Sequence, residues 1–228
     1  MPSYYPVYLD LEGKPAVVIG GGAVAERKVE SLLAAGARVT LISPGLTPGL
    51  ERLAETAKIR ILRRRYEPGD LAGAFVAIVG TDDTTVNRAA AAEARDQRVL
   101  VNTVDDVAYC DFIAPAVVRQ GDITLAISTN GKSPSMARLL RETLEAYLTP
   151  DYAHLLTVLQ QVRLRLRRAG VRPTPEQWQQ QIDEPLRVLV RRGALAEAED
   201  CLFGGLVAAT GSQPMTDPEP VAAKGVKQ

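Results

Sequence analysis

The sequence holds little of what several kinds of site require. Its 228 residues include one histidine, His154, and two cysteines, Cys110 and Cys201. A single imidazole excludes His-rich metal centres and the Ser-His-Asp mode of catalysis. Two thiols are too few for a disulfide framework or a multi-Cys metal site. They read as reduced cysteines of a cytoplasmic protein. No apolar run approaches the ~18 residues that span a bilayer, and no membrane partner is expected. The opening MPSYYPVYLDLEGK lacks a basic segment followed by an apolar core, so it does not read as a secretory leader. Neither sign of charge is in excess: 27 Lys and Arg face 27 Asp and Glu. That balance argues against a nucleic-acid binder. Glycine (18) and proline (15) are too few and too unpatterned for a low-complexity chain. What remains, with 46% hydrophobic and 24% charged residues, is ordinary globular composition. The length allows one large domain or two small ones at ~100–200 residues each.

The first half alternates strand and helix signals. Residues 16–19 are apolar and end in glycines. Residues 24–35 place Ala25, Val29, Leu32 and Leu33 at helical spacing, with Gly36 as a C-terminal stop. Strand signals follow at 38–42, 59–62, 74–79 and 99–102, with helical segments at 50–57 and 84–95 between them. Strands that are apolar throughout, alternating with helices, predict a Rossmann-like doubly wound parallel sheet covered on both faces, an α/β fold. The pattern changes near 112. Residues 116–119 and 123–128, joined by Gln120-Gly121-Asp122, predict a hairpin. Ser133-Pro134 then reads as an N-cap followed by proline at the first helical position. Residues 151–210 read as helical, broken at 170–175 and near Gly193. The expected organisation is a nucleotide-binding domain over 1–112, a small α+β region over 113–149 and a helical domain over 150–210. A Pro/Gly/Ser-rich tail without fixed structure is expected over 211–228.

Gly20-Gly21-Gly22-Ala23-Val24-Ala25 fits G-x-G-x-x-G/A, between a strand and a helix. Gly20 permits the tight turn, Gly22 lets the backbone approach a pyrophosphate, and Ala25 lets the helix pack closely on the strand. The helix N-terminus supplies free N–H groups and partial positive charge. Ala23 and Val24 open that helix. A structural glycine turn is the bland alternative, but the strand-before, helix-after context favours a bound dinucleotide. One feature departs from the fingerprint. The second strand ends in Ser43-Pro44-Gly45, with no acid for the ribose hydroxyls and no arginine directly after for a 2′-phosphate. The residues alone leave NAD against NADP open, with a lean toward NAD. Further ends of the presumed sheet offer Thr81 and Asp82, then Asn102 and Val104, at the edge where open α/β folds bind ligands. Asp105-Asp106 follows and, taken alone, reads as a solvated turn.

Five segments alter that weighing: Gly20 to Lys28 (GGGAVAERK), Ala77 to Asp83 (AIVGTDD), Val101 to Asp106 (VNTVDD), Phe112 to Ala116 (FIAPA) and Ile127 to Pro134 (ISTNGKSP). In this order and spacing the chain resembles the precorrin-2 dehydrogenase and sirohydrochlorin ferrochelatase family of siroheme biosynthesis, over residues 4–148. Residues 150–210 match only in helical character and length. No methyltransferase segment follows, so the chain looks like a stand-alone form similar to the N-terminal module of siroheme synthase. The resemblance implies NAD-dependent oxidation of precorrin-2 to sirohydrochlorin. In some members it also implies insertion of Fe2+ in the same cleft. It further implies a homodimer joined by the segment after the nucleotide domain, and it aligns Asp105 with the family's essential aspartate. One carboxylate there could take the proton that leaves on oxidation, or the pyrrole N–H protons displaced by a metal. Ser128 matches a position that carries a phosphoserine in some members; here it reads as a cleft or turn hydroxyl.

A substrate ringed by carboxylates calls for cations beside an apolar platform. Arg119, Lys132, Arg138 and Arg141 lie near the hairpin and the helix after it. The run Arg163, Arg165, Arg167, Arg168 and Arg172 reads first as a solvated helix face. His154 reads as a surface or packing residue and Cys110 as a spectator thiol. No metal site of the protein's own is expected. Tyr-x-x-x-Lys, which a short-chain dehydrogenase requires, is absent at every tyrosine. The alternative in another class is a non-catalytic NAD-sensing regulatory module, which would need the glycine turn but neither Asp105 nor a cationic platform.

Overall fold

In the computed structural model the described residues are 4–104 and 106–211. Asp105 and the tail beyond Gly211 lie outside them. The chain divides into two compact units, Met1–Pro115 and Ala116–Gln228.

The first unit contains β1 (Pro15–Ile19), α1 (Ala23–Ala34), β2 (Arg38–Ile42), α2 (Pro48–Glu55), β3 (Arg60–Leu62), β4 (Val76–Val79), α3 (Thr84–Asp96) and β5 (Leu100–Thr103). The sheet order is β3-β2-β1-β4-β5, and every pairing is parallel. This is the doubly wound Rossmann-like arrangement the alternation predicts. The central strands β1 and β4 are apolar throughout because both faces are covered; β2, β3 and β5 carry polar residues, Arg38, Arg60 and Asn102 among them. Val18, Val29, Leu41 and Leu50 fill one face. Ile19, Leu71, Val79 and Val101 fill the other. Ala90, Ala91 and Ala94 are fully buried on α3; their small side chains bring that helix close to the sheet. Ile19 stands level with Ile42 and Val79. The connections leave β1 toward β2 on one side and reach β4 on the other. The strand ends at this reversal are where such sheets open a ligand crevice. Helix α1 ends in paired bonds, Gly36 N–H to Leu33 O and Ala37 N–H to Leu32 O, the Schellman pattern expected of a glycine just past the helix.

The second unit starts with the antiparallel hairpin β6 (Ala116–Gln120) and β7 (Ile123–Ile127). Helices α4 (Pro134–Tyr147), α5 (Pro150–Arg168), α6 (Pro175–Gln181), α7 (Glu184–Arg191) and α8 (Leu195–Thr210) follow. Ser133 caps α4 by accepting the Met136 N–H, with Pro134 at its first position. Val158, Val162, Leu166, Leu186, Leu202 and Leu206 form a core of the helices' own. A third break, at 182–183, is absent from the sequence reading. There the Asp183 carboxylate accepts the Leu186 N–H and restarts the chain as α7. An Asp-Glu-Pro signal marked it.

Candidate dinucleotide site

Three loops meet at the carboxyl end of the sheet, and glycines set how close they come. Gly20 takes φ +122°, and a Cβ there would lie 2.3 Å from the Gly80 carbonyl oxygen. A Cβ on Gly21 would lie 1.9 Å from the Gly45 carbonyl oxygen. The turn after β1 is thus wedged between the turns after β4 and β2. At Gly22 the opposite holds: nothing stands within 4 Å of an added Cβ, so that position faces open space. The cleft in front of it measures about 780 Å3, within the usual range of ligand pockets.

The helix ends around the cleft differ. Thr47 caps α2 through the Leu50 N–H, and Asp83 caps α3 through the Thr85 and Val86 N–H groups. Helix α1 begins at Gly22 without any side-chain cap. Its first N–H groups, and its positive dipole end, are left open beside Ala23 and Val24. An uncapped glycine N-terminus with room for one more group is the arrangement a pyrophosphate fills. The residues present therefore fit a dinucleotide held at Gly20, Gly22, Ala23 and Val24.

Ser43, Pro44 and Gly45 line the same cleft, as do Thr81 and Asp82. Ser43 is buried, and its hydroxyl donates to Gly45 O at 2.7 Å. It shapes the β2 turn where a fingerprint acid would otherwise stand. Thr81 and Asn87 are tied together: the Thr81 hydroxyl lies 2.7 Å from Asn87 Oδ1, and Asn87 Nδ2 donates to Thr81 O at 2.8 Å. Val24, Gly80, Thr81 and Asp82 also border a second hollow of about 300 Å3, completed by Asn87, Arg88, Val104, Asp106 and Tyr109 among others. Of these, Val104 is an expected cofactor contact and Asp106 is not; Asp105 is outside the described residues. Asn102 is placed differently. It is buried at the end of β5, where its amide donates to the Phe112 carbonyl at 2.9 Å.

The segment after β5 is held against the strand. The Thr103 N–H donates to Cys110 Sγ at 3.2 Å, and the thiol lies 3.1 Å from the Thr103 carbonyl. Asp111 accepts the Val101 N–H. Burial pushes the Cys110 thiol above its ordinary pKa, with the nearby Asp106 and Asp111 charges adding to the effect. It is a neutral tether rather than a nucleophile.

The sequence reading misses Arg65 and Tyr66, which reach the cleft wall from the loop after β3. That loop is pinned twice. Arg64 pairs with Asp70 through two bonds, at 2.7 and 2.6 Å. Glu93 on α3 accepts the Tyr66 hydroxyl and the N–H groups of Gly69 and Leu71. Burial, then the hydrogen bond to Glu93, drive the Tyr66 phenol well above its ordinary pKa. No local motif announces Arg65, because the fold brings it, from twenty-two residues away, to the cleft that Ser43 also lines.

The substrate candidates lie in the second unit. Ser128 is exposed, and its hydroxyl accepts the Asn130 N–H at 3.0 Å, a turn bond. Arg119 and Lys132 are exposed and form no ion pair among the described residues. Arg138 is occupied by Glu142 at 2.8 Å, one turn further along α4. His154 is exposed.

The fold and cleft define a Rossmann-type NAD(P)-binding protein. A family described as "Putative NAD(P)-binding" matches residues 7–116, and the family "Sirohaem biosynthesis protein central" matches residues 120–147. Over these segments the chain is similar to precorrin-2 dehydrogenases and to the corresponding modules of siroheme synthases. It is 36% identical over 200 residues to siroheme synthase 1 of Serratia proteamaculans, covering 86% of this chain and 42% of that one. It is 38% identical over 205 residues to the siroheme synthase of Xylella fastidiosa, covering 89% and 43%. The chain thus spans less than half the length of these curated relatives. A solved structure of SirC, precorrin-2 dehydrogenase, superposes with a TM-score of 0.73 at 28% identity, covering 86% of this chain and 99% of that one.

Proposed function

We propose that the protein oxidises precorrin-2 to sirohydrochlorin with NAD, a dehydrogenation in siroheme biosynthesis. The observation that carries the reading is the uncapped α1 N-terminus behind Gly22, in a chain that matches a precorrin-2 dehydrogenase over nearly all of that enzyme's length. The nicotinamide ring of the bound cofactor supplies the hydride acceptor. Gly20, Gly22, Ala23 and Val24 hold the pyrophosphate, and Ser43, Pro44 and Gly45 meet the ribose at the β2 end. Thr81, Asp82 and Val104 line the path toward the reacting carbon, and Asn102 supports it by fixing the turn after β5. Asp105 acts as the base that takes the proton released on oxidation.

Residues 113–149 serve as the dimerisation and substrate-cleft region. There Arg119, Lys132, Arg138 and Ser128 meet the substrate's carboxylates; for Arg138 this means exchanging Glu142 for a substrate carboxylate. Exposed apolar residues on α4 support a homodimer. No helix among the described residues is long and apolar enough to cross a membrane, in keeping with a cytoplasmic enzyme. If Fe2+ is also inserted, as the substrate of a chelatase step, the acceptors of the pyrrole protons are carboxylates such as Asp105.

Anaerobic incubation with precorrin-2 and NAD, followed by NADH absorbance, tests the reaction; adding Fe2+ or Co2+ afterwards tests the second step. NADH formed in step with sirohydrochlorin is expected. A chain that binds NAD yet yields no NADH would favour the non-catalytic NAD-sensing module instead.

A further inference from the structure

A groove of about 800 Å3 lies in the helical unit. Leu159 and Leu166 of α5 and Trp178 of α6 give it an apolar lining, and Arg163, Arg167 and Arg172 line it too. All three arginines are exposed, and none forms an ion pair or side-chain hydrogen bond among the described residues. Arg165, which does not line the groove, is by contrast engaged by Asp200 at 2.8 Å and by the Phe203 ring. One carboxylate, Asp122, also lines the groove, without an ion pair to the arginines.

The described chain ends beside this groove. Helix α8 runs to Thr210, and Gly211 follows at φ +65°. The Ala209 carbonyl accepts Gln177 Nε2 at 2.7 Å. That bond fixes the end of α8 against the start of α6, where Pro175 and Trp178 line the groove. The sequence that continues from there, Ser212 to Val221 (SQPMTDPEPV), holds two acids, Asp217 and Glu219, and no base. Three of its ten residues are prolines.

We propose that the segment Ser212 to Val221 docks in the groove of its own chain, with Asp217 and Glu219 on Arg163 and Arg167 and its prolines against Trp178. The reach is sufficient. Six residues of extended chain span up to ~20 Å, whereas α6, with 7 residues, is only about 10 Å long. The spacing also agrees. Residues i and i+2 of an extended chain point to one side, ~6.6 Å apart, and Arg163 and Arg167 are separated by about 6 Å along α5. Guanidinium and carboxylate form charge-assisted bonds. Prolines arrive with little conformational freedom to lose and suit aromatic-lined grooves. The segment is too polar to build a core of its own, and the groove offers its apolar members one. Tethering at Gly211 keeps its effective concentration high, so two exposed ion pairs suffice. A second copy of the chain is a poorer occupant through its exposed α4, because Glu142 and Glu145 there are already held by Arg138 and Arg141. The assignment makes no use of the reaction proposed above.

Trp178 is the chain's single tryptophan, so quenching of its fluorescence by acrylamide in the full chain reads how far the groove is covered. Two exposed ion pairs favour the docked state by only about tenfold, so Asp217→Asn/Glu219→Gln should raise the quenching constant about twofold. Arg163→Gln/Arg167→Gln should raise it equally, and combining the two pairs of changes should add nothing further. The exchange of charge, Arg163→Glu/Arg167→Glu with Asp217→Lys/Glu219→Lys, should restore the parent value. Lys224→Gln/Lys227→Gln, outside the docked segment, should leave it unchanged. Thermal melts establish that the variants stay folded. Equal quenching in the parent and in both double variants would overturn the proposal, as would additive effects or a charge exchange that fails to restore shielding. Shielding that grows with protein concentration would overturn docking within one chain and assign the groove to the segment of a second copy. NADH formation is scored separately, so neither reading depends on the other.

Discussion

Gly21 and Gly22 are adjacent and chemically identical, yet the fold asks opposite things of them. Gly21 is needed for packing, because a Cβ there collides with the Gly45 backbone. Gly22 is needed for the ligand, because a Cβ there stands in empty cleft. Gly21→Ala should therefore lower the denaturant midpoint, with a cost of about 1–3 kcal/mol, as for other overpacked sites. Gly22→Val should leave the melting curve nearly unchanged and weaken NAD, measured by calorimetry, by ~100-fold or more, about 2.7 kcal/mol at the usual 1.4 kcal/mol per decade. The fingerprint assigns Gly20 and Gly22 their roles but treats Gly21 as free; only the approach of the β2 turn shows that it is not.

Asp105 and Asp106 make a second contrasting pair. If Asp105 is the base, Asp105→Asn should reduce the rate of NADH formation from precorrin-2 on the order of 10²–10⁴-fold, the usual range for a general base, with NAD affinity intact. Asp106→Asn is the matched control and should have a mild effect. Equal, mild losses in both variants would return the pair to a solvated turn.

At the scale of elements, the loop after β3 shows why part of the cleft was illegible in the sequence. Strands, helices and the glycine turn announce themselves by periodicity and spacing over a few residues. Arg65 and Tyr66 do not, since their position depends on Asp70 and on Glu93, the latter on another helix. The same holds for Asn102, whose place at a strand end suggested a ligand contact, while its amide is turned to the Phe112 carbonyl. The loop's tether has a pH signature. The Arg64 guanidinium holds the Asp70 carboxyl below its ordinary value of 3.8, with the Glu67 N–H assisting against burial. The unfolded chain therefore takes up this proton first as pH falls, and stability tied to Asp70 is lost below about that value. Asp70→Asn should be less stable at neutral pH but show a flatter acid limb in denaturant titrations. An acid limb as steep as the parent's would mean that other carboxylates set it. Arg65→Ala should leave the melt unchanged and weaken NADP more than NAD, since Arg65 is a cation on the cleft wall that Ser43, at the β2 end, also lines.

At the scale of the molecule, the doubly wound sheet was legible because its central strands β1 and β4 are apolar on both faces, and the hairpin because a Gly-Asp turn separates two short β-branched runs. The boundary between units was less so. The hairpin and α4 belong with the later helices, since α5 also packs on β6, a pairing that no local pattern encodes. Helix α4 presents an exposed apolar surface. None of its residues is buried, and Leu139 and Tyr147 are 57% and 64% exposed. Met136, Leu139, Leu140 and Tyr147 recur at helical spacing, so they form one stripe rather than scattered apolar residues. A second copy of this chain offers an equivalent stripe, as a two-fold interface requires, and interfaces that persist in such dimers commonly bury more than ~2,000 Å2. Light scattering at micromolar concentration should return twice the chain mass of 24.6 kDa. Leu139→Glu combined with Leu140→Glu should return a single chain mass. Both side chains are exposed within the protomer, so helical content by circular dichroism should persist while the dimer is lost. A parent protein that scatters as one chain would remove the stripe from any role in self-association. NADH formation in the double variant then reads what the dimer contributes: activity that falls together with the mass would place part of the substrate cleft across the two-fold interface, and full activity in a single chain would place it within one protomer.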